Sequence, residues 1–150
     1  MKAVAVLSCS CARGLALGVA VAQDAPPGPS FAQPGPLTVE LNKIEDGDSG
    51  SCRAFFLFRN QTGLTFEGFE MSLAILNTEG VIDRLLTIDA APIPAARTTL
   101  KLFEIPDTRC AAISEVLLHE IGSCRPQNAA ETDCFPMLNL VSRTSAALVQ

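Results

Sequence analysis

The sequence predicts a single antiparallel β-sandwich, and three observations predict it. Apolar and polar residues alternate at period two in most patterned segments, no stretch sustains a long amphipathic helical face, and turn residues punctuate the chain at short intervals. Roughly seven short strands with turn signals every 8–12 residues are what a sandwich domain of about 100 residues requires.

The elements follow in chain order. Leu37, Val39 and Leu41 alternate with Thr38, Glu40 and Asn42, so the first strand is buried on one face, and the acidic stretch Glu45 to Gly50 ends it as a turn. The apolar block Cys52 to Phe58, CRAFFLF, predicts a central strand covered on both faces. After the Asn60-Gln61-Thr62-Gly63 turn, Phe69, Met71, Leu73 and Ile75 alternate with Glu70, Ser72 and Ala74 as a third strand. Asn77-Thr78-Glu79-Gly80 turns it back into a fourth, Val81 to Ile88. Pro92 and Pro94 break pairing in the next connection, and Thr98 to Ile105 alternates again with Leu100 and Leu102 on one face. Cys110 to Ile121 carries both periods, which predicts a short helical turn leading into a strand; Met137 to Arg143 and Ala146 to Val149 supply one or two closing strands.

The N-terminus reads as an export signal over residues 1–22. Lys2 gives the positive start, Ala3 to Val21 the apolar core, and Ala20-Val21-Ala22 the small residues before a cleavage site at Gln23. Arg13 interrupts the apolar run and leaves pieces too short for the roughly 20 residues a membrane span needs. Val6-Leu7-Ser8-Cys9 looks like a lipobox, so an alternative mature form has Cys9 lipidated and the protein anchored to a membrane as a structural lipoprotein. Residues 23–36 hold five of the ten prolines and read as a spacer, leaving about 114 residues, 37–150, for the sandwich.

Removing the signal takes Lys2 and Arg13 but no acid, leaving 9 basic against 16 acidic residues, a net charge of -7. A chain of that sign repels polyanions, which excludes nucleic-acid binding. Of the six cysteines, Cys52, Cys110, Cys124 and Cys134 remain, an even number in an oxidising compartment, so two disulfides are expected. Four cysteines allow three connectivities. The preferred one joins Cys124 to Cys134 around a polar loop and Cys52 to Cys110 across distant segments, each contributing about 2.5 to 4 kcal/mol. A zinc site of four thiolates is disfavoured, since the chain has no CxxC pair.

With one His and no Trp or Tyr, the inventory for catalysis is nearly empty. His119 would need a nucleophile and an orienting acid, and no GxSxG elbow is present; a small envelope enzyme built on His119 is the alternative this leaves. The run Glu45 to Gly50 lacks the continued ligand alternation and closing Glu of a calcium loop. Neither a cofactor nor a metal is expected. Phe55, Phe56, Phe58, Phe69 and Phe103 read as core, whereas Phe135, Pro136 and Met137 are the candidate apolar contact site. Asn60-Gln61-Thr62 is a formal glycosylation sequon read here as a turn.

Three features of Ala54 to Ile105 resemble small bacterial envelope sandwiches of the FxLYD type, with an Ig-like architecture: Asn60, Thr62 and Gly63 after one strand, Leu73 and Ile75 before the Gly80-Val81 turn, and the strand Arg97 to Phe103. Leu41 to Glu45, Cys52 to Phe55, and Val116-Leu117-Leu118 resemble an exported alphaproteobacterial family known as "Tat pathway signal sequence domain protein". The N-terminus lacks that family's Arg-Arg pair, which points to ordinary secretion. The resemblance implies a periplasmic accessory protein, placed beside proton-channel components of the TolQ/ExbB kind. Composition and resemblance together predict a non-catalytic exported module that binds another envelope protein.

Overall fold

The structure, a computed structural model, describes residues 34–150. The signal, the Cys9 lipobox and most of the Pro-rich spacer lie outside the described residues. Eight strands form two four-stranded sheets that pack face to face: β1 (Leu37–Asp46), β2 (Cys52–Asn60), β3 (Phe66–Asn77), β4 (Ile82–Asp89), β5 (Thr98–Ile105), β6 (Ile113–Pro126), β7 (Leu138–Ser142) and β8 (Ala147–Val149). Sheet A has the order β5-β2-β1-β7 and sheet B the order β4-β3-β6-β8.

Period-two alternation places the core. Leu37, Val39 and Leu41 of β1, Ala54, Phe56 and Phe58 of β2, and Phe69, Met71, Leu73 and Ile75 of β3 are all buried between the sheets. Phe58 and Phe66 each meet Phe69 edge-on, at 6.2 and 6.0 Å between ring centroids, and Phe56 meets Phe103 at 5.9 Å. Each such buried ring contributes about 2 to 3 kcal/mol by removal from water. The space left between the sheets is about 10 Å³, room for one water at most, so the interior holds no ligand-sized cavity there.

The ends of the strands set the topology. Asn60 closes β2, and its buried amide donates to the carbonyls of Leu64 at 2.7 Å and Ile93 at 3.2 Å, while its oxygen accepts from the Thr62 hydroxyl at 2.7 Å. The sequon asparagine is therefore a buried structural hub of the turn. At the next hairpin, the Asn77 side chain accepts from the backbone of Glu79 and Val81, and Gly80 takes φ +76, a conformation in which a side chain would be strained. Both disulfides form in the preferred connectivity, Cys52–Cys110 and Cys124–Cys134. The first ties the start of β2 to the 3₁₀ turn Cys110–Ala112 before β6, and so joins the two sheets; this turn is the short helical segment expected there.

Two details differ from the sequence reading, and a third settles what it left open. Among the described residues β2 is central in its sheet but covered by strands on one face only: Phe55 and Leu57 point outward and are half-buried, because strict alternation along CRAFFLF can bury only every second residue against sheet B. Phe55 is thus an exterior ring, with the Lys43 ammonium 5.1 Å from its centroid. The leucine face of β5 is also the outer face, for Leu100 is 58% and Leu102 52% exposed while Phe103 and Ile105 turn inward. Finally, the sheets are not wholly antiparallel: β7 runs parallel to β1 and β8 parallel to β6. The chain leaves β6 at the end where β1 begins, so β7 must run with β1; it then crosses to sheet B at the opposite end, where β6 begins, and β8 must run with β6.

Candidate interaction surface

The edges of the two sheets determine what the molecule offers to a partner. β4 and β5 are the edge strands of sheets B and A on the same side of the sandwich. Leu86 and Ile88 of β4 share the core with Phe103 and Ile105 of β5, and the Lys101 ammonium donates to the Ala91 carbonyl across the gap at 3.0 Å. Arg84 likewise donates to the carbonyl of Pro106. Each strand has eight residues, and each presents a row of backbone groups with no partner strand.

Of the six large apolar side chains exposed among the described residues, five lie here: Val81 and Ile82 at the start of β4, Leu85 at 63% exposure, and Leu100 and Leu102 on β5. Scattered exposed leucines need no explanation, but here each edge carries its own apolar outer face, Leu100 and Leu102 on sheet A and Leu85 on sheet B, next to unpaired backbone. The cluster continues inward on both sheets. On sheet A, Leu100 pairs with Leu57 and Leu102 with Phe55; on sheet B, Leu85 pairs with Ala74, which pairs in turn with Leu117.

Charges frame these leucines. Arg97, exposed just before β5, and Arg59, opposite Thr98, flank an open surface cleft of about 520 Å³. Arg97 has no ion-pair partner among the described residues, while Arg59 reaches back to Glu40 at 3.4 Å. On β4, Asp83 is paired with Arg84 at 3.0 Å and accepts from Thr108 at 3.1 Å, and these contacts hold its carboxyl below the usual range, the Arg84 hydrogen bond most of all. Among the described residues Asp89 accepts only from the backbone of Ala91.

The residues singled out from sequence fall elsewhere. Phe135 and Met137 sit in the 3₁₀ turn Phe135–Met137, half-buried against the core, and Pro136 between them is exposed. His119 is exposed on β6 at an extra residue where the pairing with β3 shifts register, and it makes no side-chain hydrogen bond among the described residues. Asp46 of the acidic run accepts from the Cys110 backbone at 2.8 Å, and no group of three His, Cys, Asp or Glu converges as a metal site among the described residues. The leucine side was missed because alternation tells which residues share a face but not which face of an edge strand is covered. The signal was present: in Thr98 to Ile105 the leucine face competes with Thr99, Lys101 and Phe103, a face that is itself largely amphipathic.

Comparison with protein-family models and with curated proteins finds no match. Among solved structures the chain is similar to IrmA from Escherichia coli, with a TM-score of 0.54 and 12% identity over 69% of this chain and 89% of that one. At that identity the likeness concerns the fold alone, which in this chain is a β-sandwich of two four-stranded sheets.

Proposed function

We propose that this chain is an exported, non-catalytic β-sandwich that works by binding protein, as an accessory module of the bacterial cell envelope. One observation carries the reading: five exposed apolar residues gather along the side where β4 and β5 end the two sheets. An unpaired edge flanked by apolar side chains recognises protein by main-chain hydrogen bonds with side chains for specificity. The two disulfides support an oxidising, extracytoplasmic setting. The lone exposed His119, without a hydrogen-bonded acid or nucleophile among the described residues, gives no support to the enzyme alternative.

The test is crosslinking in the native envelope with the parent chain and a Leu85→Lys, Leu100→Lys variant, scoring TolQ/ExbB-type subunits among the products. Both leucines are exposed, so at low protein concentration, where any association is lost, the variant keeps the parent's unfolding transition. The expected result is loss of crosslinked species in the variant. An identical crosslinking pattern for both proteins overturns the reading. Mass spectrometry of the mature N-terminus decides the anchor: a chain starting at Gln23 excludes lipidation, and an acylated Cys9 establishes it.

A further inference from the structure

Resting on that reading, we infer that the β4/β5 side is a self-complementary interface, through which two copies join by pairing β5 of each with β4 of the other. The directions of the strands make this possible. β2 ends and β3 begins at the Asn60 end of the sandwich, where Phe58 meets Phe69. β4 runs toward that end, since Asp89 pairs with Glu70, and β5 runs away from it, since Thr98 pairs with Arg59. The two edge strands are therefore antiparallel, of equal length, and in different layers. A twofold axis parallel to the strands places β5 beside the partner's β4 in one layer and β4 beside the partner's β5 in the other. Both contacts are antiparallel, so each four-stranded sheet continues into a four-stranded sheet of the second copy.

Side chains fit the same operation. The outward residues of β5 are Thr98, Leu100, Leu102 and Glu104, and those of β4 are Leu85, Thr87 and Asp89. Setting Leu85 opposite Leu100 or Leu102 continues the apolar rows of both sheets across the junction. In either register Asp89 comes to the start of β5, beside Arg97, which has no ion-pair partner among the described residues, with Arg59 on the same sheet face. Opposite charges without ion-pair partners among the described residues, at corresponding ends of two edges, are a complementarity that favours this orientation.

The other twofold arrangement pairs like with like. Setting β5 against β5 so that Leu100 faces Leu102 of the second copy places Lys101 directly against Lys101, a like-charge pair on an edge strand. In that register the inward-pointing lysine opposes self-pairing of β5, while β4 offers Leu86 to that position when Leu85 faces Leu102.

Sedimentation of the exported chain over a concentration series is expected to show the mass of a dimer. Copies carrying Leu85→Cys are mixed with copies carrying Leu100→Cys or Leu102→Cys and oxidised mildly. A crosslink is expected in the mixture for one of the two β5 positions, and in no single variant alone. A crosslink within the Leu100→Cys or Leu102→Cys variant by itself shows β5 against β5 and overturns the proposal, as does a monomer at every concentration. The two failures separate cleanly. A monomer whose envelope crosslinks vanish in the Leu85→Lys, Leu100→Lys variant overturns the dimer and leaves the binding reading; a monomer with crosslinks unchanged by that variant overturns both.

Discussion

On one side of the sandwich the edge strands are β7, with five residues, and β8, with three; on the other they are β4 and β5, with eight each. The short edges are closed off by local means. The Ser142 and Thr144 hydroxyls both donate to the Ala146 carbonyl at the corner between the sheets, Leu148 is buried, and no large apolar side chain of β7 or β8 is exposed. The long edges keep Leu85, Leu100 and Leu102 in solvent. Brevity is one of the ways proteins blunt a sheet edge, and a long apolar edge invites pairing unless a partner covers it. The difference fits a division in which one side serves stability and the other carries the proposed contact.

The disulfides test that division most strongly. Cys52–Cys110 has a sequence separation of 58 and ties β2, beside β5, to the approach of β6; its replacement by Ala at both positions is expected to cost about 4 kcal/mol. Cys124–Cys134, with a separation of 10, holds the loop that feeds β7, and its loss is expected to cost about 3 kcal/mol. Urea unfolding of both double variants measures this, with the larger fall in midpoint expected for the first. Reversed falls would show that closing the loop into β7 matters more than joining the sheets, and equal falls that it matters as much.

Single leucines sharpen the contrast. Leu148→Ala on β8 removes a buried side chain and is expected to cost about 3 kcal/mol. Leu85→Ala on β4, at 63% exposure, is expected to cost less than about 0.5 kcal/mol in the separated chain. If Leu85→Ala destabilises at high protein concentration only, its cost lies in association, since a self-associating protein gains stability by mass action. A concentration-independent loss of the Leu148 size would mean that Leu85 packs within its own chain.

Much of this architecture was legible in the residues. Leu37, Val39 and Leu41, the alternation from Phe69 to Ile75, the Asn77 to Gly80 hairpin and the pairing of four cysteines all appear in the structure as the local patterns imply. These are short-range signals of periodicity and turn chemistry, and they survive because nothing in the tertiary fold opposes them. What was not legible depends on neighbours far along the chain. CRAFFLF has no polar residue after Arg53 to mark its outer face, so Phe55 and Leu57 read as core until the two-layer packing of the described residues decides otherwise. The direction of β7 and β8 follows from where β6 ends, which no local pattern encodes. The contact side was hidden for the same reason, because it is made by two strands from different sheets.

The outer face of sheet A divides as the edges do, and its acid response is the smallest effect that can be read. Toward β5 the face carries Phe55, Leu57, Leu100 and Leu102; toward β7 it carries Glu40, which pairs with Leu57 on one side and Val141 on the other. Glu40 is only 3% exposed, under a thin cover made by Asn42, Arg59 and Arg143. The Asn42 amide, donating at 2.7 Å, holds the carboxyl below its ordinary value, with attraction to Arg59 and Arg143 acting in the same direction against the opposing effect of burial. Because the folded-state value is depressed, the stabilisation is complete above the ordinary glutamate range and is lost as pH falls through the folded value. Glu40→Gln is therefore expected to flatten the acid limb of the stability profile below that range, measured as urea midpoint against pH. Asn42→Ala is expected to move that limb toward higher pH by more than Arg143→Ala does, since Arg143 stands 3.9 Å from the carboxylate and its attraction is weakened by salt. A larger shift for Arg143→Ala at high ionic strength would count against the hydrogen bond as the main cause.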